Sequence, residues 1–181
     1  WASPWQRSLL IGATSTIGVV AQGLEYTDLI VTGGAFAIHG ATNQTRASRA
    51  LAIGDGMAHL LTTNMMFGRA GSTNWVAFLA ACGEDYHNGS YAVELYENTA
   101  RRVYIGKSMD LPRWWLSGPG AAGGSHETAY SPNTMLLVAR LTASDYDTSN
   151  GTLRLWANPP VSPAPPPDFT AVISLDYVRP Y

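Results

Sequence analysis

The chain has 181 residues, only 13% of them charged, and a formal net charge of −2. That length holds one domain with a sizeable core rather than two comfortable ones. It also speaks against a nucleic-acid binder: Lys107 is the only lysine, the arginines are scattered, and no basic patch is available to neutralise phosphates.

No apolar run reaches the length of a membrane span, and nothing at the start reads as a signal peptide. A chain that starts at Trp1 without a methionine reads either as a processed product or as a trimmed piece. The first stretch, residues 1–23 (WASPWQRSLLIGATSTIGVVAQG), is apolar and sprinkled with Gly, Ser and Thr. Within it STIGVV has the make-up of a strand that could pair with an open sheet edge.

From there the period is that of strands. LEYTDLIVTG (24–33) alternates and then breaks at Gly33-Gly34, and AHLLTTNMMFG (58–68) and NWVAFLAACG (74–83) continue in the same style. Between the first two, SRALAIGDG (48–56) holds at most one helical turn. Cys82 stands alone, so no disulfide framework exists, and it reads as a small buried hydrophobe. SYAVELYEN (90–98), RRVYIGK (101–107), TMLLVARLTA (134–143), TLRLWAN (152–158) and FTAVISLDYVRPY (169–181) complete the set, with turn clusters between them. Asn150-Gly151 supplies the positive backbone angles of a tight hairpin turn between LLVARL and LRLWAN. In the latter, Leu153, Leu155 and Ala157 share one face, and Arg154 and Trp156 share the other. Many short strands with no amphipathic helical run predict an all-β sandwich or barrel.

The order LEYTDL, SRAL, TNWVAFLAA, GSYAVELYEN, RRVYIGK, MLLVARL and TLRLWANPP resembles the concanavalin A-like (laminin-G-like) jelly-roll modules of secreted bacterial surface proteins. The resemblance implies a two-sheet antiparallel jelly roll, an extracellular or cell-surface location and no established catalytic residues. It spans roughly residues 1–176, with IGK and LRLWANP its most specific pieces. In such modules a strand usually precedes the stretch that Trp1 begins here, so the resemblance also implies a sheet margin short of one partner. The expected organisation is one β-sandwich domain over 1–181. Residues 1–23 form an exchanged or edge-pairing segment, and 159–167 form a stiff proline-rich connector that ends one strand and leads to the last.

Candidate chemistry is sparse. Glycoside hydrolysis needs two convergent carboxylates, but Glu94 and Glu97 stand three apart on one strand and point to opposite faces. Ser125-His126-Glu127 is contiguous, and adjacent side chains in an extended segment splay apart, so no triad forms. Asp145, Asp147 and Asn150 offer hard oxygens at alternating positions that suit calcium, yet a distal bidentate Glu is lacking, and an Asn-Gly turn selects the same residues. Trp114 and Trp115, with Arg113, His126 and Tyr130, form a candidate glycan platform of aromatic faces and polar groups. The competing expectation is that one tryptophan plugs the sandwich and the other covers a sheet. Asn43, Asn88 and Asn150 each begin a glycosylation triplet.

These features favour a non-enzymatic extracellular subunit that assembles with copies of itself by edge pairing or strand exchange. The alternative is a lectin-like module, and a glycoside hydrolase comes third.

Overall fold

In the computed structural model the described residues are 6–9, 16–21, 23–26, 29, 35–39, 45–48, 69–81, 91–97, 100–107, 113–118, 124–129, 133–143, 150–159 and 169–174. Their regular elements are all strands. These are β1 (Gln6–Leu9), β2 (Thr16–Val20), β3 (Ala35–His39), β4 (Thr45–Ser48), β5 (Thr73–Ala80), β6 (Tyr91–Glu97), β7 (Ala100–Lys107), β8 (Arg113–Ser117), β9 (Gly124–Ala129), β10 (Met135–Ala143), β11 (Asn150–Ala157) and β12 (Phe169–Ser174). Among the described residues no helix is long and apolar enough to cross a membrane.

The chain falls into two compact units, Trp1–Ala52 and Ile53–Tyr181. In the first, β1 pairs antiparallel with β4 and β2 with β3. The strand character expected for STIGVV is therefore realised within its own unit, across from AFAIH. Of the strand expected over 24–33, the described part holds an isolated bridge between Tyr26 and Leu29. The strand expected over 58–68 lies outside the described residues.

The second unit holds two antiparallel four-stranded sheets, compatible with a β-sandwich. The first has the order β12-β11-β10-β5, and the second β6-β7-β8-β9. The central strand β10, MLLVARLTA, shows why this sequence makes a sheet with one face on a core. Met135, Leu137, Ala139, Leu141 and Ala143 are buried, while each residue between them is only half-buried. Strict period two along an apolar and β-branched run is what a pleated strand between two environments requires. Each fully buried Leu on this face contributes about 1.5–3 kcal/mol by its removal from water.

β11 repeats the pattern opposite, with Leu153 and Leu155 buried and paired across from Leu141 and Ala139. From the second sheet, Val103, Ile105, Trp114 and Leu116 are buried. Trp114 on β8 donates its indole N–H to the Met135 Sδ on β10 at 3.3 Å, a side-chain link from one sheet to the other.

The β10–β11 hairpin is present, but its turn differs from the expected one. Asn150 and Gly151 lie inside β11, paired with Ser174 and Ile173, and Gly151 also faces Ala143. Gly151 is buried, so a residue without a side chain serves there as a close-packed strand position rather than as a turn. The connection falls on residues 144–149, outside the described set.

At the other end of β11 the hairpin closes on Asn158. Its backbone N–H donates to the Leu136 carbonyl at 2.7 Å, and its Oδ1 accepts from the Leu136 N–H at 2.8 Å. The side chain thus stands in for a ladder carbonyl while the backbone turns out at φ 50° towards Pro159. Asn158→Ala removes an acceptor and keeps a strained angle, and is expected to cost about 1–2 kcal/mol. Asn158→Asp keeps the acceptor and should cost less than half as much. Chemical denaturation of the two variants checks the ranking.

Before β5, Ser72 N–H donates to the Arg69 carbonyl at 2.8 Å and Gly71 takes φ 72°. That angle is open to glycine without a Cβ clash.

Candidate functional site

β10 and its neighbours build a second face, turned away from the core. The register sets Arg140 opposite Trp75 on β5 and opposite Arg154 on β11, and sets Trp156 opposite Val138. Since side chains alternate along each strand, Trp75, Arg140, Arg154 and Trp156 share this face. The rings of Trp75 and Trp156 stack with centroids 5.7 Å apart and planes inclined by 30°. The Arg140 guanidinium carbon lies 5.3 Å from the Trp75 centroid and 5.6 Å from that of Trp156. One cation thus meets two aromatic faces, an attraction of about 0.5–2 kcal/mol per contact depending on desolvation. Trp156 is only 7% exposed, whereas Trp75, on the edge strand, is 57% exposed.

The polar groups of this face are less settled. Arg140 Nε, Arg154 Nε and Thr142 Oγ1 are buried without a hydrogen-bond partner. No carboxylate stands at any paired position of the face: β5 supplies Thr73, Trp75, Ala77 and Leu79, and β10 supplies Leu136, Val138, Arg140 and Thr142. β11 and β12 add Thr152, Arg154 and Trp156, then Thr170 and Val172. Two arginines directly opposite one another, without an acid between them, repel.

The residues singled out from sequence stand elsewhere. Trp114 and Trp115 are neighbours in β8, so their side chains leave opposite faces of the strand. Trp114 is 1% exposed and belongs to the core, opposite Lys107, while Trp115 is half-buried opposite Gly106. The two rings do not share a face, and of the alternatives weighed for them the core position describes Trp114. Arg113 opens β8 and His126 stands in β9, while Tyr130 lies outside the described residues.

Of the calcium and glycosylation candidates, Asp145, Asp147, Asn43 and Asn88 lie outside the described residues, and Asn150 begins β11 opposite Ser174. Among the described residues no group of three His, Cys, Asp or Glu side chains gathers to hold a metal.

Sequence reasoning placed Arg154 and Trp156 together on one side of β11. It had no means of adding Trp75 and Arg140, which reach them only through strand pairing. The signal available was the period-two alternation of NWVAF and LLVARL, each of which carries one large or charged residue on its solvent side.

The margins of the two sheets differ as well. The outer strand β5, TNWVAFLA, is eight residues long and carries no charge and no proline. It runs in unbroken register along β10 and, among the described residues, pairs with nothing on its other side. β12, FTAVIS, is equally uncharged and regular. In the second sheet, β6 carries Glu94 and Glu97, β9 carries Glu127, and the register of both outer pairs is interrupted. Charges and bulges are how proteins blunt an edge, so the second sheet has blunted margins and the first does not. No family model, curated protein or solved structure is significantly similar to this chain.

Proposed function

We propose that this protein is a non-enzymatic structural subunit that associates with copies of itself through the open margin of its first sheet. The observation that carries the reading is β5: an uncharged, proline-free, unbulged outer strand with an exposed tryptophan. Such a margin presents backbone donors and acceptors that another strand satisfies at little cost. Two copies meeting β5 to β5 about a two-fold axis would continue the first sheet from one molecule into the next. The β12 margin offers a second contact of the same kind, and two self-complementary contacts on opposite margins build an open array.

A jelly-roll connection of the strands, an extracellular surface location and glycans at Asn43, Asn88 or Asn150 belong to the same reading. Low charge and the resemblance to secreted jelly-roll modules support it. Residues 16–20 already pair with β3 in their own unit, so β5 rather than a donated N-terminal strand supplies the contact.

Light scattering after size-exclusion chromatography, with electron microscopy, tests the reading across a wide concentration range. Ala77 is exposed on β5, so Ala77→Lys adds a charge to the margin without touching the core. It is expected to raise the concentration needed for assembly at least about tenfold. A native protein that stays monomeric throughout, or an Ala77→Lys variant that assembles unchanged, rules the reading out.

A further inference from the structure

We infer that the outer face of the first sheet binds an anionic saccharide, a pyranose bearing a carboxylate, between Trp75, Arg140 and Arg154. The site lies on the face of the sheet rather than along its backbone edge, although Trp75 belongs to the assembly strand β5 as well, and four observations lead to it.

Trp75 is more than half exposed, yet its ring is held in place by Trp156 at 5.7 Å and by Arg140 at 5.3 Å. An ordered, open indole face is what the C–H face of a sugar ring stacks on, with little further entropy to lose. Arg140 and Arg154 are direct cross-strand neighbours, and among the described residues no acid stands at a paired position of their face. An anion lodged between the two guanidiniums would accept hydrogen bonds from both and relieve their repulsion. Arg140 Nε, Arg154 Nε and Thr142 Oγ1 are buried without a hydrogen-bond partner, so among the described residues the face carries more polar groups than it satisfies. Finally, Thr142 and Thr152 stand opposite one another beside the arginines, where hydroxyls of a sugar find further partners.

A uronic-acid residue combines an apolar ring face, several hydroxyls and one carboxylate within a single ring, which matches this set of groups. An acidic peptide supplies the carboxylate but no flat apolar face. A single-stranded nucleic acid supplies stacking bases and phosphate, but tracking its backbone takes a run of basic groups, and at the paired positions of this face the described residues offer Arg140 and Arg154 alone.

Isothermal titration with a short oligogalacturonate and with its carboxyl-reduced, neutral counterpart tests the assignment. The acidic form is expected to bind at least about tenfold more tightly, and Arg154→Gln should abolish that preference. Trp75→Ala should weaken the acidic form about tenfold. Because a variant can fail to fold, salt gives a second measure on the native protein: raising it should erode the preference for the acidic form. Equal binding of the two sugars, a preference insensitive to salt, or a preference retained in folded Arg154→Gln overturns the proposal. So does tighter binding of a poly-glutamate peptide or a thymidine oligonucleotide than of the oligogalacturonate. A native protein that assembles but binds no oligogalacturonate would refute this site alone.

Discussion

Trp114→Ala is expected to lower the free energy of unfolding by about 3–5 kcal/mol, a large fraction of the 5–15 kcal/mol that holds a typical domain. The physical reason is its position. The side chain is 1% exposed on the core face of β8, and its N–H reaches the Met135 Sδ on the other sheet. Truncation removes a large apolar surface and leaves a cavity between two sheets whose regular backbones collapse poorly onto it. Trp114→Phe keeps most of the volume and loses the N–H to sulfur contact, so it should cost much less than Ala. Trp115→Ala is the internal control: half-buried and on the opposite face, it should cost about 1 kcal/mol. Urea denaturation of the three variants gives the comparison. If Trp115→Ala proves as costly as Trp114→Ala, the assignment of faces in β8 is wrong.

Lys107 should resist amine-reactive reagents in the native protein by at least about a thousandfold relative to the denatured chain. It is the only lysine of the sequence, and it is fully buried, with 0% exposure. It stands at the end of β7, opposite Trp114 on β8 and opposite Tyr91 on β6. The Tyr104 hydroxyl donates to the Lys107 carbonyl, which ties the backbone there. An acylating reagent reaches such an amine only in molecules that open, and an opening free energy of about 4 kcal/mol already suppresses the rate a thousandfold. Peptide-resolved mass spectrometry after timed exposure to a succinimidyl ester reads the ratio. Comparable rates in native and denatured protein would falsify the burial of this side chain. Because burying an ammonium is costly, its placement is a constraint on the core as well as a probe of it.

Both predictions bear on one division of labour. The second sheet carries the large aromatic and the buried cation on its inner face, and its margins are blunted by acids and bulges. The first sheet lines its inner face along β10 and β11 with methionine, leucine and alanine and carries Trp75, Arg140, Arg154 and Trp156 on the other face, with an outer strand β5 that pairs with nothing further among the described residues. Assembly along β5 and ligand capture by Trp75, Arg140 and Arg154 are proposed uses of that asymmetry.

How much of this the amino-acid sequence determines by itself differs between elements. The β-class of the chain and the strands β5, β6, β7, β10 and β11 are legible, because period-two alternation is a local property set by the pleat. The sharing of one side by Leu153 and Leu155, away from Arg154, needs no partner strand to be read. β8 was not legible: RWWLS is short, follows Pro112, and carries two adjacent tryptophans that mask any alternation. The Asn150-Gly151 turn was misplaced because local turn chemistry competed with a register that needed a residue without a side chain opposite Ala143.

The candidate site lay further out of reach. Trp75 and Trp156 come from strands far apart in sequence, and they meet only because both β5 and β11 pair with β10. Alternation decides which side of its own strand a residue takes. Only pairing, driven by burial of the shared inner face, decides which distant side chain becomes its neighbour.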